Sequence, residues 1–498
     1  MLTNGHALRL TVHRSIMAKD IRSFLADYER DQPEDVVHVN EPISLKYEIG
    51  VLIDKLERMR KSPLLIFENP ITVKRGPSKY KAVTDILGSR SRLAYAINST
   101  YEKVGLDTVR LATTESREPK VISSKDAPVK EVIKKGDEID LFELPAYQPY
   151  YMVAGPYISL GNYIMYDPDS GIENAAIARG MIQSKRQVGV FLSPGGHNHI
   201  NLWKYHHERK EDAKCAIAIG FHPAAYMGMG VRLKYPQSHY AAAGALLKEP
   251  MRLVPSETLG DDFLVPADAE VVIEGIIPRS ERAPEGPYSE YTRHIGCQRW
   301  RPFLRVNCVT HRRDLIWPNY AIGRNHCFQG LTREARVYNV VKESVPQVQD
   351  VHLLPHAGGN DGLGLCFIKI KQTANGQAKA AIHSALNADY GIKHVVVVDD
   401  DVDIYDERYV FWAVGNRAQP AEDWVVIKDV MASIVDPSIP EHVGSKAGID
   451  ATLPVGEAYE IPTLFPKEAM ERVKLSKFVS QDRLQKMPDA FARPLNID

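Results

Sequence analysis

Between about residues 140 and 320 the sequence is written in short apolar runs of strand length, with few segments long enough for a helix. This constrains the fold more than any other feature, because many short antiparallel strands bury their apolar faces only by closing into a barrel or stacking as a sandwich. Residues 175–182 and 187–192 read as a hairpin around Ser184-Lys185-Arg186. Segments 215–220 and 270–277 read as buried strands, and 199–210 as a helix. Segments 304–310 and 315–317 flank the turn His311-Arg312-Arg313-Asp314.

The flanking regions follow other patterns. Ile21, Phe24, Leu25 and Tyr28 fall at helical spacing within 18–30, and 45–61 has a similar pattern. Segments 36–39 and 64–67 read as strands, the second stopped by Asn69-Pro70. Residues 113–138 show little periodicity and read as a linker or surface excursion. From about 330, a helix at 334–344, a strand at 365–371, a helix at 378–390 and a buried strand at 395–398 imply an α/β domain with parallel pairing. Pro454, Pro462 and Pro466, with a helix near 467–478, read as a docking tail. The expected layout is an N-terminal α/β domain over 1–125, a central β domain over 126–325 and a C-terminal α/β oligomerisation domain over 326–498.

Composition excludes several functions. With 62 basic and 63 acidic residues, the net charge of −1 leaves no electrostatic footprint for nucleic acid or an anionic membrane. Cys215, Cys297, Cys308, Cys327 and Cys366 are scattered, odd in number and never in a C-x-x-C pair, which argues against disulfides and structural zinc. The start, MLTNGHALRLTVHRSIMAKD, lacks the apolar core of a signal peptide, and the longest aliphatic run, 395–398, is far too short to span a membrane. The expectation is a cytoplasmic enzyme.

Three segments have the residue types for chemistry. In APEGPYSEY (283–291), Glu285 and Glu290 sit in a stretch whose prolines forbid regular helix, so the acids are either general acid/base groups in fixed geometry or solvated residues of a surface turn. In IENAAIARGMI (172–182), Arg179 interrupts a small-apolar strand, either snorkelling at a rim or buried against Glu285 and Glu290. In SPGGHNHINLW (193–203), Gly195-Gly196 offers backbone N–H groups to a phosphate. His197 and His199 there are metal ligands or helix-start residues; no second ligand cluster accompanies them, which excludes a nuclease reading of HNH. Asp399, Asp400, Asp401 and Asp403 end a strand as a hard-cation site or a solvated turn. No Rossmann or P-loop glycine pattern precedes a helix.

Taken together, VHVNEP, LLIFENP, NAAIARGM, PEGPYSEY, DDDVDIYD and SKAGIDATLP, in this order and spacing, resemble the UbiD family of reversible decarboxylases, which includes fungal ferulate and cinnamate decarboxylases. In that family an Asn-x-x-x-x-Arg strand is followed eighteen residues later by a histidine, a spacing matched by Asn174, Arg179 and His197 and not by His199. The resemblance implies Arg179, Glu285 and Glu290 as the catalytic set, with Glu290 as proton donor. It implies a central split β-barrel, like that of flavin reductases, holding prenylated FMN supplied by a separate flavin prenyltransferase. Asn174, Ala175, Ala176, Ile177, Ala178, Arg179, Gly196, His197 and His239 would contact the cofactor. Its phosphate would be held through Mn2+ or another divalent metal on Asn174, His197 and His239, with K+ nearby.

Two positions depart from the family pattern. His239 stands where relatives carry a glutamate ligand, and Asn387 where fungal members carry a phosphate-binding lysine. Ser433 and Val435 fall where fungal cinnamate enzymes have a bulky aromatic wall, which hints at a larger substrate. The implied reaction is decarboxylation of an aromatic, heteroaromatic or α,β-unsaturated acid by a homodimer or larger homo-oligomer. The alternatives are a carboxylase subunit or a non-catalytic flavin-binding scaffold.

Overall fold

A computed structural model describes residues 18–193, 196–320, 328–354, 364–433, 435–439, 443–456 and 466–487. Gly195, Cys327 and Pro462 lie outside these described residues. The chain forms two compact units, residues 1–50 with 62–332 and residues 51–61 with 333–498.

The first unit is built on six antiparallel strands: β1 (Tyr157–Tyr166), β2 (Glu173–Ser184), β3 (Gln187–Val190), β4 (Ala213–Ile219), β5 (Val271–Ile277) and β6 (Phe303–His311). They neighbour one another in the order β3-β2-β1-β4-β5-β6, and β3 pairs back onto β6 through Gln187 with Arg305 and Gly189 with Phe303. The sheet is a closed barrel, which removes the exposed strand edges that an open sheet would present. Alternation along the strands fills it. Cys215, Ile217 and Ile219 of β4 point inward with Val188, Val271 and Ile273, whereas Ala216 and Ala218 face an outer core.

That outer core contains the helices Pro223–Gly230 and His239–Leu247. They approach closely because a side chain at Gly228 would reach within 2.5 Å of the Ala243 backbone. Nearly every residue of both helices is buried. An all-apolar helix shows no amphipathic period, and the strand-rich sequence reading assigns no helix to either segment.

Several expected elements form where the sequence places them, including helix Ile21–Asp31, strands Val36–Val39 and Leu64–Phe67, and the β2–β3 hairpin. Two readings are corrected. Residues 113–138 are not a plain linker: Lys120–Val121 pairs with Arg252–Pro255, and Val132–Lys135 adds to β6. Strands of two to four residues are too short to carry a period. The turn at 311–314 does not join paired strands either. Strand Ile316–Asn319 leaves the barrel and pairs in parallel with Lys81–Thr84 in a four-stranded sheet.

The second unit is a five-stranded sheet in the order Val348–Leu353, Gly364–Ile370, Ile392–Val398, Val443–Ala451, Trp424–Met431. Its inner pairs are parallel and its outer pairs antiparallel. Helix Gln377–Ala388 covers one face and Glu407–Arg417 the other. The Asp399 and Asp401 carboxylates are both taken by Arg417, at 3.0 and 2.6 Å, which favours the structural reading of that acidic turn. Among the described residues no helix is long and apolar enough to cross a membrane.

Candidate active site

Strand β2 carries the first site group. Its pairing with β1 slips between Ala178 and Gly180, so Arg179 sits at an irregularity, the kind of place where a strand re-aims a side chain. Ala175 and Ile177 face the outer core and Ala178 the barrel interior. The Arg179 guanidinium emerges between the rings of Phe191 and Tyr288, with its carbon 4.3 and 4.9 Å from their centroids.

The APEGPYSEY segment meets it there. Strand Ala283–Glu285 pairs with Arg299–Arg301, and Tyr288–Ser289 with Ile295–Gly296. Between the two short strands Gly286 has φ +89°, a backbone conformation open to glycine, and it sets the two glutamates on either side of one cation. Arg179 Nε and Nη2 donate to Glu285 Oε1 and Oε2 at 3.0 and 3.1 Å, and Nη1 donates to Glu290 Oε1 at 2.5 Å. Tyr157 adds its hydroxyl to Glu285 at 3.3 Å.

The side chains are 10, 1 and 16 % exposed for Arg179, Glu285 and Glu290, so this is a buried triad and not a solvated turn. Burial opposes the Arg179 charge, but attraction to Glu290 and Glu285 outweighs it and raises the pKa. Burial, then the neighbouring Glu285 carboxylate, raises the Tyr157 phenol. The two acids differ in one respect. Both oxygens of Glu285 are engaged, while Glu290 Oε2 has no hydrogen bond among the described residues.

A second cluster gathers at the start of β2. Asn174, His197 and His239 line one cavity of about 300 Å³ together with Glu173, Asn201 and Lys204. His197 and His239 are each the first residue of a helix, His197–Trp203 and His239–Leu247. Glu173 ties β2 to the second helix: its Oε1 accepts from Ser238 Oγ and from the Tyr240 backbone N–H at 3.0 Å, favourable for an anion at a helix start. Asn198 Nδ2 ties the first helix to β1 by donating to the Tyr163 carbonyl at 2.7 Å.

The His239 ring is buried and its Nδ1 has no hydrogen-bond partner. Burial, then repulsion from His197, lowers its pKa to about 4, leaving a neutral imidazole. A buried nitrogen without a partner, facing a cavity shared with an amide and a second imidazole, fits a divalent cation of borderline softness. Among the described residues no three His, Cys, Asp or Glu side chains form a metal-binding group by themselves, so such a site would need the Asn174 oxygen. Gly196 caps the His197 helix through its backbone position alone, and Asn387, Ser433 and Val435 belong to the second unit.

Sequence reasoning did not single out Tyr157, Tyr288 and Phe191, which wall the triad, or Arg301, whose guanidinium carbon stands 5.1 Å from the Phe191 ring centroid. Tyr288 lies inside the quoted motif, and the aromatic flanking two acids is the signal that marks it.

Comparison with known proteins identifies the frame around these clusters. Residues 28–110, 120–325 and 326–451 match the N-terminal, Rift-related and C-terminal domains of 3-octaprenyl-4-hydroxybenzoate carboxy-lyase. The UbiD-class enzyme HmfF of Pelotomaculum thermopropionicum, solved with FMN, is 32% identical, with a TM-score of 0.85 over 92% of this chain and 100% of HmfF. Vanillic acid decarboxylase of Sedimentibacter hydroxybenzoicus is 27% identical, with a TM-score of 0.80 over 91% of this chain and 97% of its own. Anhydromevalonate phosphate decarboxylase of Methanothermobacter thermautotrophicus is 34% identical over 328 residues, 64% of this chain and 74% of the relative. With all three domain models matched in order along the chain, and HmfF covered over its full length, this chain belongs to the UbiD family of prenylated-FMN-dependent decarboxylases.

Proposed function

We propose that the chain catalyses the reversible, non-oxidative decarboxylation of an aromatic, heteroaromatic or α,β-unsaturated carboxylic acid, with Glu290 as proton donor. The observation that supports this reading is the unequal engagement of the two glutamates around Arg179. Glu285 is saturated by the guanidinium fork and by Tyr157, so it fixes Arg179 and has no lone oxygen to offer. Glu290 is held at one oxygen, which orients it, and keeps Oε2 for the reacting carbon.

When bound, prenylated FMN supplies the electron sink that lets the carboxylate leave as CO2. Arg179 orients the reacting acid, the rings of Tyr157, Tyr288 and Phe191 exclude water, and Glu290 delivers a proton to the carbon that has lost its carboxylate. Asn174, His197 and His239 would hold a divalent metal at the cofactor phosphate, Mn2+ in the family pattern, with K+ nearby. Asn174 and Arg179 stand five residues apart on β2, about 16 Å in an extended strand, which suits an elongated cofactor with an anionic end.

The same reading assigns a cytoplasmic homo-oligomer and a flavin prenyltransferase as cofactor supplier. Exposed Phe411, Trp424, Val426 and Met431 in the second unit support self-association. The test is co-expression with a flavin prenyltransferase, followed by a flavin absorbance spectrum and a CO2-release screen. The screen should include acids that also carry phosphate, as the name of the Methanothermobacter relative suggests. A flavin band with CO2 release from one acid class supports the decarboxylase; a flavin band with no release from any acid favours a scaffold.

A further inference from the structure

Beside the Arg179 triad stands a second guanidinium that the fold leaves unneutralised. Arg301 ends the strand Arg299–Arg301, whose register places Arg301 opposite Ala283 and Arg299 opposite Glu285. Residues two apart on a strand share a face, so Arg301 emerges on the side of the hairpin that carries Glu285. Its guanidinium carbon lies 5.1 Å from the Phe191 ring centroid, and that of Arg179 lies 4.3 Å from the same centroid. One phenyl ring is therefore shared by two arginines.

Arg179 spends its charge on Glu285 and Glu290, and the nearby Arg305 spends its own on Glu281 at 2.7 Å. Arg301 makes no ion pair or hydrogen bond among the described residues, and its Nε is buried without a partner. Burial, then repulsion from Arg299, lowers its pKa, while attraction to Glu285 opposes that shift. A guanidinium stays cationic near neutral pH all the same. A half-buried cation with idle donors is costly unless a ligand completes it, and its fork matches the two oxygens of a carboxylate or phosphate. The bland account, a side chain merely stacked on Phe191, explains the ring contact but not the orphaned Nε.

We infer that Arg301 binds a second oxyanion on the substrate, distal to the carboxylate that is lost, so that the preferred substrates are dianionic acids. This deepens the proposed decarboxylase reading and rests on it for the identity of the reacting group. The shared chemistry is a tail carboxylate or phosphate, and the test separates the two.

Three matched acids serve as probes: cinnamate, 4-carboxycinnamate and 4-phosphonooxycinnamate. Their dissociation constants are measured by calorimetry on the flavin-loaded full chain and on its Arg301→Gln and Arg301→Lys variants. The wild type should bind at least one dianion roughly tenfold or more tighter than cinnamate, as expected for a charge-assisted contact. Arg301→Gln should erase that advantage while leaving cinnamate within about twofold and the melting temperature unchanged, since no protein contact is lost. Arg301→Lys, which keeps the charge and loses the fork, should retain part of it. Whichever dianion loses more in Arg301→Gln identifies the tail group.

Equal binding of all three acids by the wild type, or binding of none, overturns the inference. So does an Arg301→Gln variant that weakens cinnamate as much as the dianions, which would assign Arg301 to the support of the triad. CO2 release is recorded separately. Preference for dianions without CO2 release from any acid leaves the anion site standing and sinks the decarboxylase reading, whereas release without preference sinks the anion site alone.

Discussion

Arg179 touches Glu290 through a single nitrogen, Nη1 at 2.5 Å from Oε1, although the same guanidinium grips Glu285 with two. The asymmetry separates a catalytic from a supporting carboxylate. Glu290→Gln should lower turnover by at least ~10²-fold while leaving stability and flavin content close to wild type. Glu285→Gln takes the charge from a side chain that is 1 % exposed and leaves Arg179 half-compensated, so unfolding stability should fall by about 1–3 kcal/mol. Chemical denaturation together with CO2 release and substrate deuterium exchange reads both. Full turnover in Glu290→Gln removes that residue from the proton-transfer role.

Gly296 gives a way to move Glu290 without removing it. A β-carbon there would lie 2.7 Å from Glu290 Oε1 and 3.3 Å from its Cγ, so the acid must shift off Arg179. The obstacle is the end of a side chain, which can yield, and the fold should lose no more than about 1 kcal/mol. Gly296→Ala should therefore lower kcat by roughly tenfold or more with little change in melting temperature, because displacement by about 1 Å is enough to misalign a proton donor. A wild-type kcat would show that the Glu290 position is not critical.

His222 predicts an acid-sensitive fold. Its ring is buried, Nδ1 accepts from the Ala224 N–H at 3.1 Å at the start of helix Pro223–Gly230, and burial lowers its pKa to about 3. In the unfolded chain an ordinary histidine takes up a proton near pH 6.5. Between pH 6.5 and about 3 the unfolded state then binds more protons than the folded one, so stability rises with pH across this window and is lost as pH falls. The slope from this residue approaches 1.4 kcal/mol per pH unit. Denaturation at pH 7.5 and 5 should show the loss in wild type and a smaller one in His222→Asn, which keeps a capping acceptor; identical profiles count against the assignment.

The sequence made some of this legible and hid the rest for physical reasons. The barrel follows from the short strands of 140–320 because alternation marks one buried face, and the β2–β3 hairpin is visible from its turn residues. The helix carrying His239 was hidden, since HYAAAGALL is apolar on every side and offers no period. The loop acids carry no sign of their partner: Arg179 and Glu285 are 106 residues apart, and only the resemblance linked them. Arg301 was hidden further still. In RWR the exposed Trp300 resembles an ordinary surface strand residue, and nothing local says that the next arginine turns inward.

The metal position offers the last prediction. Glu173 clamps the start of helix His239–Leu247 onto the strand that begins with Glu173-Asn174, so Asn174 and His239 are held to one cavity by the same carboxylate. With histidine at 239 in place of the glutamate of related enzymes, the donor set becomes one amide oxygen and two imidazole nitrogens, which disfavours hard Mn2+ relative to Zn2+ or Co2+. Purified protein dialysed against equal Mn2+ and Co2+ should retain mostly Co2+. His239→Glu restores a hard anionic oxygen, and the retained ratio should move toward Mn2+ by about tenfold or more. Metal content by mass spectrometry is the readout and needs no substrate. An unchanged ratio in His239→Glu would place the third ligand on another residue, and loss of both metals in Asn174→Ala would still locate the site at the start of β2.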